Sequence, residues 1–165
     1  MRRALTRSQR SYCMSCIRKK DTKPELAVRS IVHRLGYRFR IHRADLPGTP
    51  DVVLPKLKKI IFIHGCFWHL HSCRPGRIRP KHNAAYWETK RSRNAKRDRV
   101  NLRQLQRLGW DVIVIWECEL RMPGAVRRRL RQFLSRAKPK ARDKPRSAIR
   151  HIPLKEVKSD TFAFE

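Results

Sequence analysis

The chain has 165 residues, of which 42 are lysine or arginine and 13 are aspartate or glutamate, so its formal charge at pH 7 is +29. So large an excess of cations predicts a polyanionic partner, with nucleic acid as the first candidate. The sequence contains no long apolar span, no basic amphipathic helix with a broad apolar face and no apolar secretory signal at its start. These features argue against a membrane protein and predict a cytoplasmic chain, in which reduced thiols favour metal binding over disulfides.

Composition divides the chain into three parts. Residues 1–20 are basic and polar, and two interpretations stay open for them: a solvated arm, or an arm that becomes ordered on DNA. Residues 21–134 contain nearly all of the organised apolar residues and are expected to form one domain. Residues 135–165 begin with a stretch rich in lysine, arginine and proline, and they are expected to be a basic, disordered tail.

The first predicted element is a helix that starts near residue 22. Thr22 can cap it, Pro24 fits its first turn, and Glu25 completes a capping box. Gly36 predicts its end, and apolar residues recur with helical spacing at Val28, Ile31, Val32 and Leu35. Residues 37–42 then alternate apolar and polar side chains, which predicts a half-buried strand.

A hairpin is predicted next. Residues 46–50 form a rigid Pro/Gly turn, residues 51–54 form one strand, and residues 60–63 form the next. Asp51 has two interpretations, either as a turn residue or as a metal ligand. Many metal-dependent nucleases carry a Pro-Asp pair on one hairpin strand, and Mg²⁺ prefers carboxylate, phosphate and water as ligands.

Residues 64–73 combine soft ligands with aromatic side chains. The spacing Cys66-x4-His71-x-Cys73 lets one segment supply three ligands to a tetrahedral ion. The remaining thiols belong to Cys13, Cys16 and Cys118. Cys118 follows the apolar run 112–116, whose end lies beside the end of strand 60–63 if the two strands are neighbours. Buried free thiols are the alternative, and Cys13 and Cys16 are interpreted as incidental.

The second half of the chain predicts a loop at 74–83, a helix at about 87–108, a strand at 110–116 and a final helix at 125–134. Leu102, Leu105 and Leu108 are expected to pack, whereas the hydrophilic first half of the long helix is either solvated or lies on DNA. This order of elements predicts a mixed sheet with helices on its faces. We expect Asp51, His64 and Cys118 to converge on one edge of that sheet.

Five stretches carry a resemblance to a known family: residues 14–25, the Leu-Pro-Gly-Thr-Pro-Asp run at 46–51, residues 62–73, residues 87–98 and residues 109–120. In this order, and over residues 12–134, they resemble the Vsr family of very short patch repair endonucleases. The block from His64 to Cys73 is the most specific. One departure from ordinary restriction nucleases is shared with the family, because no Glu-x-Lys follows Pro50-Asp51 on the next strand.

The resemblance implies an α/β fold like the restriction endonuclease core, with a mixed central sheet flanked by helices and an added structural zinc. It implies a Mg²⁺-dependent DNA mismatch endonuclease that begins very short patch repair. Such an enzyme nicks one strand on the 5′ side of the T in a T·G mismatch, which arises when 5-methylcytosine deaminates. The implied partner is double-stranded DNA with that mismatch, bound by a monomer in the nucleoid of a bacterial cytoplasm, with mismatch-repair proteins as further candidate partners.

The resemblance also implies roles for individual residues. The implied zinc ligands are Cys66, His71, Cys73 and Cys118. The implied Mg²⁺ ligands are the side chain of Asp51 and the main-chain carbonyl of Ile63. His69 is expected to activate or orient the attacking water, His64 to stand beside it at the scissile phosphate, and Glu25 to be a further carboxylate near the metal.

DNA contacts are implied in the same way. A wedge inserted into the base stack beside the mismatch is expected from Phe67, Trp68 and Trp87, and its counterpart from the other groove is Met14. Lys90 and Asn94 are expected to contact the mismatched pair or its phosphates. A T·G wobble pair stacks less well than a normal pair, so a protein that inserts aromatic side chains gains selectivity from that difference.

Other interpretations remain open from the residues themselves. His64 is equally a strand-end histidine, Asp51 a turn cap, and Lys90 and Asn94 solvated helix positions. Phe67 and Trp68 are candidates for core packing, but adjacent residues on an extended segment point to opposite sides, which predicts that one is displayed. A zinc-stabilised, non-catalytic nucleic-acid-binding module and a restriction-type nuclease on the same fold are the alternative functions. Exposed aromatic residues favour a mismatch reader over both.

Overall fold

The computed structural model describes residues 20–136 and, before them, residues 6, 8, 9, 12, 16 and 18. Met14 and residues 137–165 lie outside the described residues, as does most of the predicted arm 1–20. Residues 20–136 contain three helices and three strands: α1 Lys23–Arg34, β1 Val52–Leu54, β2 Lys59–His64, α2 Ala84–Arg107, β3 Asp111–Trp116 and α3 Pro123–Ser135. Short 3-10 turns lie at Pro55–Leu57, Pro75–Arg77 and Glu117–Arg121.

The strands form one mixed sheet in the order β1-β2-β3. β1 is antiparallel to β2, and β3 is parallel to β2, with His64 opposite Trp116. Because β1 runs antiparallel to β2, β1 begins at the edge where β2 ends. Because β3 runs parallel to β2, β3 ends at that same edge. The start of β1 and the ends of β2 and β3 therefore share one edge of the sheet, as predicted from the sequence for Asp51 and His64.

Helices cover both faces of the sheet. Because side chains alternate along a strand, Val52 and Ile61 pack on one face with α1 and α3, whereas Val53 and Ile60 pack on the other with Leu105 of α2. The predicted mixed α/β architecture with helices on its faces is confirmed. Within the described part of the chain, none of the helices combines the length and apolar character that crossing a bilayer requires.

The strand predicted at residues 37–42 is wrong. The alternation is real, because Tyr37 and Phe39 are half-buried against the core and their neighbours are exposed. Pairing is limited to one antiparallel bridge between Arg40 and Val53, whose main-chain N–H groups each donate to the other residue's carbonyl over 2.8 Å. His42 then takes a left-handed conformation, with φ of +47°, and turns the chain away from β1.

Local sequence signals mark the helix boundaries, and the one exception is the start of α2. Thr22 caps α1 by accepting a hydrogen bond from the main-chain N–H of Glu25, as predicted. Helix α2 begins at Ala84, three residues before the predicted start, and its 24 residues span about 36 Å. Gly109 ends it with φ of +75°. Leu105 is buried, but the expected packing of Leu108 is wrong, because this side chain is 57% exposed.

A buried lysine ties α3 to the sheet edge opposite the converging strand ends. Lys59, the first residue of β2, is 1% exposed. Its Nζ donates to the carbonyls of Phe133 and Leu134 and, over 2.7 Å, to that of Arg136. These carbonyls lie at the end of α3, where no further turn supplies N–H donors. Burial lowers the pKa of Lys59, and its ammonium group thus serves as the helix cap.

Candidate active site and metal centre

A cleft of about 370 Å³ lies at the shared edge of the sheet. It is bounded by the N-terminus of α1, the turn before β1, the end of β2 with the loop that follows, and the middle of α2. All five side chains or main-chain groups that the sequence predicted for catalysis line it: Glu25, Asp51, Ile63, His64 and His69. The structure adds Asp98, Asn101 and Glu117 to the same walls.

Asp51 is a mostly buried carboxylate that forms no ion pair with a described cationic side chain. Its Oδ2 accepts a hydrogen bond of 2.7 Å from the main-chain N–H of Ile63, in the neighbouring strand β2. Burial raises its pKa to about 6, the negative charge of Glu25 adds to the rise, and the Ile63 N–H opposes it. No described lysine, arginine or histidine forms an ion pair with Asp51. A buried anion of this kind suits a bound cation.

His69 and Asp98 form a hydrogen-bonded pair across the cleft. Nδ1 of His69 lies 2.5 Å from Oδ2 of Asp98, and because a carboxylate oxygen accepts, Nδ1 carries the proton. In the neutral ring, Nε2 is then left as the acceptor. A carboxylate that fixes the tautomer and orientation of a histidine in this way prepares it to take a proton from water.

His64 stacks on His69 but has a different character. The two rings are nearly parallel, with centroids 4.0 Å apart. His64 is only 7% exposed, and burial, followed by the charge of His69, lowers its pKa to about 3. His64 is therefore neutral at pH 7 and can donate a hydrogen bond without carrying a charge.

Glu25 has the capping role that the sequence predicted, and it also lines the cleft. It contributes to the start of α1, since its Oε2 accepts from the main-chain N–H of Asp21 over 3.1 Å and its Oε1 accepts from the Thr22 hydroxyl over 2.8 Å. Oε2 also accepts from Nη2 of Arg29 over 2.8 Å. The carboxylate nevertheless lines the cleft and is close enough to raise the pKa of Asp51.

The four predicted zinc ligands lie together beside the cleft. One ligand atom from each of Cys66, His71, Cys73 and Cys118 falls within 4.8 Å of all the others. Sγ of Cys118 is 3.4 Å from Nδ1 of His71, and burial raises the pKa of the Cys66 thiol to about 12 in the absence of a cation. Three sulfur atoms and one imidazole nitrogen at this spacing fit a tetrahedral zinc ion and leave no open position.

The loop that carries the ligands is built by close backbone contacts. A Cβ atom at Gly76 would lie 2.0 Å from the carbonyl oxygen of His71, so only glycine fits there. Arg91 of α2 is fully buried and donates to three carbonyls: that of Phe67 over 2.7 Å, that of Ile78 over 2.8 Å and that of Gly76 over 2.5 Å. Arg91 therefore joins both ends of the loop to α2.

Trp116, the last residue of β3, connects the Cys/His cluster with the cleft. Its ring stacks on His71 with centroids 4.3 Å apart and meets His64 edge-on at 5.3 Å. The residue two positions later is Cys118, whose main-chain N–H donates to Sγ of Cys66 over 3.4 Å. Trp116 thus contacts one residue of the cluster and one residue of the cleft.

The three aromatic residues predicted as a wedge form one cluster. The ring centroids of Phe67, Trp68 and Trp87 lie between 5.2 and 5.8 Å apart in tilted or edge-on pairs. Residues 66–70 form turns, not an extended segment, and all three rings are half-buried. The expectation of exposed aromatic side chains is therefore wrong for the described structure, because these rings cover one another.

Lys90 and Asn94 support this cluster from α2. Nζ of Lys90 lies 5.3 to 5.6 Å from the ring centroids of Trp68, Tyr86 and Trp87, which are favourable cation–π distances. Nδ2 of Asn94 donates to the carbonyl of Trp68 over 3.2 Å. Neither residue is a fully solvated helix position, so both stand next to the expected wedge.

Sequence reasoning missed Asp98, Arg91 and Trp116 as contributors to the site. Helical spacing offered a signal for the first two, because positions 87, 91, 94, 98 and 101 recur every three or four residues and define one face of α2. That face is polar, and a polar face is usually solvated. Here it packs on the 64–78 loop and on the cleft, which only the tertiary structure reveals.

Comparisons with known proteins agree with this geometry. Residues 3–75 match the family model described as DNA mismatch endonuclease Vsr. The Type II nicking enzyme V.XorIIP of Xanthomonas oryzae pv. oryzae is 49% identical over 130 residues, which are 79% of this chain and 95% of that protein. DNA mismatch endonuclease Vsr of Escherichia coli is 40% identical over 115 residues, covering 70% of this chain and 73% of that protein.

Together, the cleft and these relatives define the class of the protein as a DNA-cleaving hydrolase. The match covers nearly the whole length of a relative that is 49% identical. The chain belongs to the Vsr family of DNA mismatch endonucleases and nicking enzymes.

Proposed function

We propose that this protein is a Mg²⁺-dependent endonuclease that nicks one strand of duplex DNA on the 5′ side of the T in a T·G mismatch and so begins very short patch repair. The observation that carries the proposal is the convergence of Asp51, Glu25, Ile63 and the His69–Asp98 pair in one cleft. The proposal extends to a restriction-endonuclease-like fold for residues 21–134, with DNA contacts from the arm 1–20 and a basic tail at 135–165.

Mg²⁺ fits the oxygen-rich part of the cleft. Asp51 is mostly buried without a described ion-pair partner, and the Ile63 main chain and Glu25 line the same cleft. Asp51 and the Ile63 carbonyl would hold the ion, with Glu25 as a further carboxylate close by. When bound, Mg²⁺ supplies positive charge that offsets the charge developing on the phosphate.

Hydrolysis at this cleft uses His69 and His64 in different ways. Nε2 of His69 accepts a proton from the attacking water, while Asp98 holds Nδ1–H and stabilises the imidazolium that forms. The water oxygen forms a bond to phosphorus, the bond to the 3′ oxygen breaks, and that oxygen takes up a proton from solvent, which leaves a 3′-hydroxyl and a 5′-phosphate. His64, neutral at pH 7, donates a hydrogen bond to the scissile phosphate.

Zinc has a structural role in the proposal. Cys66, His71, Cys73 and Cys118 supply four ligands, so no position is left for substrate or water. The fold of the 64–78 loop, and through Trp116 the position of His64, depend on this cluster.

Mismatch recognition is assigned to the aromatic cluster. Phe67, Trp68 and Trp87 separate from one another and insert beside the T·G pair, with Met14 of the arm entering from the other groove. Stacking of a base on an aromatic ring stabilises the complex by roughly 1–3 kcal/mol per base. This partly offsets the cost of unstacking the bases, which is a few kcal/mol per step. Lys90 and Asn94 then contact the pair or its phosphates. We place this activity on chromosomal DNA in the bacterial cytoplasm, by a monomer, with mismatch-repair proteins as candidate partners.

A strand-cleavage assay tests the proposal. End-labelled duplexes with one T·G pair in varied contexts are compared with matching C·G and T·A duplexes, with and without Mg²⁺. Wild type is compared with Asp51→Ala and with Asp45→Ala, whose carboxylate is exposed and paired with Arg43. The expected result is a Mg²⁺-dependent nick 5′ of the mismatched T, lost in Asp51→Ala and kept in Asp45→Ala.

Two other outcomes would replace the proposal. Tight, salt-sensitive binding without cleavage of any duplex would indicate a non-catalytic binding module. Cuts in both strands of perfectly paired DNA would indicate a restriction-type nuclease.

A further inference from the structure

Arg29 does not line the cleft, and the family resemblance implies no role for it. It lies one helical turn after Glu25 on α1 and is 9% exposed. Its Nη1 is 2.5 Å from Oδ1 of Asp21, and its Nη2 is 2.8 Å from Oε2 of Glu25 and 3.0 Å from Nε2 of His42. Since an arginine nitrogen donates, Nε2 of His42 accepts and its ring proton lies on Nδ1.

The three partners of Arg29 come from three segments near the cleft: the end of the arm, helix α1 and the loop before β1. Asp21 is the junction between residues 1–20 and α1, and it has a left-handed backbone with φ of +53°. Glu25 lines the cleft itself. His42, with φ of +47°, begins the turn that leads to Asp51. One buried guanidinium group therefore holds the base of the arm, a carboxylate of the cleft and the loop before β1.

We propose that Arg29 is a positioning residue that holds the Glu25 carboxylate at the Mg²⁺-binding side of the cleft and aligns the arm and the 42–51 loop with it. The inference rests on the proposed function, because it takes Glu25 to be a carboxylate near the bound metal. Arg29 does not line the cleft, so it acts through Glu25 and not on the substrate.

A guanidinium group suits this cluster because it reaches three partners at once. Ligand atoms of Asp21, Glu25 and His42 fall within 4.8 Å of one another, which is a spacing that a metal ion can use. Arg29 already supplies the cation at this place, so the cluster serves as an anchor. A planar fork with fixed donors reaches all three partners at once, whereas an ammonium group offers a single point of charge. Nε of Arg29 is buried and has no hydrogen-bond partner among the described residues, a cost typical of a geometry held for function.

A purely structural role for Arg29 makes a different prediction, and helix α1 offers a matched control. Arg34 lies on the same helix and is exposed, and within the described part of the chain its side chain donates only to the Ser30 hydroxyl. Arg29→Met, Arg29→Lys and Arg34→Met are compared by thermal melting, by single-turnover nicking of a T·G duplex, and by the Mg²⁺ concentration that gives half the maximal rate.

For folded Arg29→Met we expect the maximal rate to fall at least about tenfold and the half-maximal Mg²⁺ concentration to rise at least about threefold. Arg29→Lys keeps the positive charge but not the forked set of donors. We expect its half-maximal Mg²⁺ concentration to return closer to the wild-type value than its maximal rate does. Arg34→Met stays within about twofold of wild type in both. Rates and Mg²⁺ dependence of Arg29→Met equal to those of Arg34→Met would overturn the inference.

Mn²⁺ binding, followed by the electron paramagnetic resonance signal of the free ion, separates this inference from the proposed function. If wild type binds Mn²⁺ but nicks no duplex, the proposed function fails, and weaker Mn²⁺ binding by Arg29→Met still supports the positioning role. Equal Mn²⁺ binding by wild type and Arg29→Met counts against it. If Arg29→Met does not fold, Arg29→Lys takes its place, with unchanged rate and Mn²⁺ affinity as the contradicting result.

Discussion

Nδ1 of His69 and Oδ2 of Asp98 lie 2.5 Å apart and join the loop after β2 to the middle of helix α2. The two residues are 29 positions apart in sequence. Their pairing orients the imidazole over His64 and leaves Nε2 as its acceptor. A carboxylate–histidine pair placed beside a buried aspartate is the feature of this cleft that is best suited to activate water.

Asp98→Asn tests that pairing. An amide can hold the ring in place but does not stabilise the imidazolium, and it can select the wrong tautomer. We expect single-turnover nicking to fall by roughly 10²- to 10⁴-fold at pH 7 while DNA binding stays nearly unchanged. The measurement is a rapid-mixing assay on a T·G duplex with saturating enzyme and Mg²⁺.

Asp45→Asn is the control for that experiment, since this exposed aspartate pairs with Arg43 outside the cleft. It is expected to nick at the wild-type rate. A rate for Asp98→Asn within threefold of wild type would mean that His69 does not act as a base through this pair.

Cys118→Ser tests the structural role of the metal centre. Loss of one of four ligands is expected to reduce bound zinc well below about one ion per chain and to lower the melting temperature by roughly 10 °C or more. Because Trp116 contacts both His71 and His64, we also expect nicking to fall with the zinc content. Metal analysis and thermal melting are measured on the same samples.

Cys16→Ser is the matched control, because Cys16 is exposed and outside the cluster. It is expected to keep its zinc and its melting temperature. Full zinc occupancy in Cys118→Ser would show that the fourth ligand is another residue.

Local patterns predicted much of the fold and site. The spacing of Cys66, His71 and Cys73 alone indicated a shared ion, and Thr22 with Gly36 bracketed α1 nearly to the residue. These signals work because the interactions behind them span only a few residues. The family resemblance then indicated which side chains to expect in one cleft, and the register of β1, β2 and β3 explains why they meet.

Features that depend on distant partners could not be predicted in the same way. Residues 37–42 alternate like a strand, but a strand needs a neighbour, and β1 offers pairing only at Val53. In the sequence, Arg91 is one of many cations on a basic helix. In the structure it is fully buried and donates hydrogen bonds to three loop carbonyls. Asp98 is part of the site because it pairs with His69, 29 positions away, and Arg29 contacts His42 as well as its neighbours Asp21 and Glu25.

Asp51→Asn tests the electrostatics of the cleft through stability. The pKa of Asp51 is raised from 3.8 to about 6 in the folded protein, so between these values the folded state binds more protons than the unfolded state. Stability therefore falls as pH rises through that window, and the loss persists above it. Asparagine keeps an oxygen for the Ile63 N–H without the charge. We expect Asp51→Asn to be more stable than wild type by roughly 1–3 kcal/mol at pH 7 in Mg²⁺-free buffer.

Urea unfolding at several pH values between 5 and 7.5 measures this difference. The gap between the two proteins is expected to grow with pH, and millimolar Mg²⁺ is expected to narrow it by stabilising wild type alone. A gap that is the same at pH 5 and pH 7 would show that Asp51 is not the group that titrates. A gap that Mg²⁺ leaves unchanged would argue against Asp51 as its ligand.

Trp68→Ala tests whether the aromatic cluster reads the mismatch. Trp68 lines the cleft and packs on Phe67 and Trp87, while its carbonyl is held by Asn94 and stays in place in the variant. If its ring stacks on a base beside the T·G pair, its loss weakens binding to the mismatched duplex by roughly 5- to 150-fold. Binding to the C·G duplex changes far less, because phosphate contacts dominate there.

Fluorescence anisotropy at one fixed salt concentration gives both affinities, and Leu108→Ala, at the exposed far end of α2, is the control. Equal losses on the two duplexes would assign Trp68 to general DNA affinity and not to mismatch recognition.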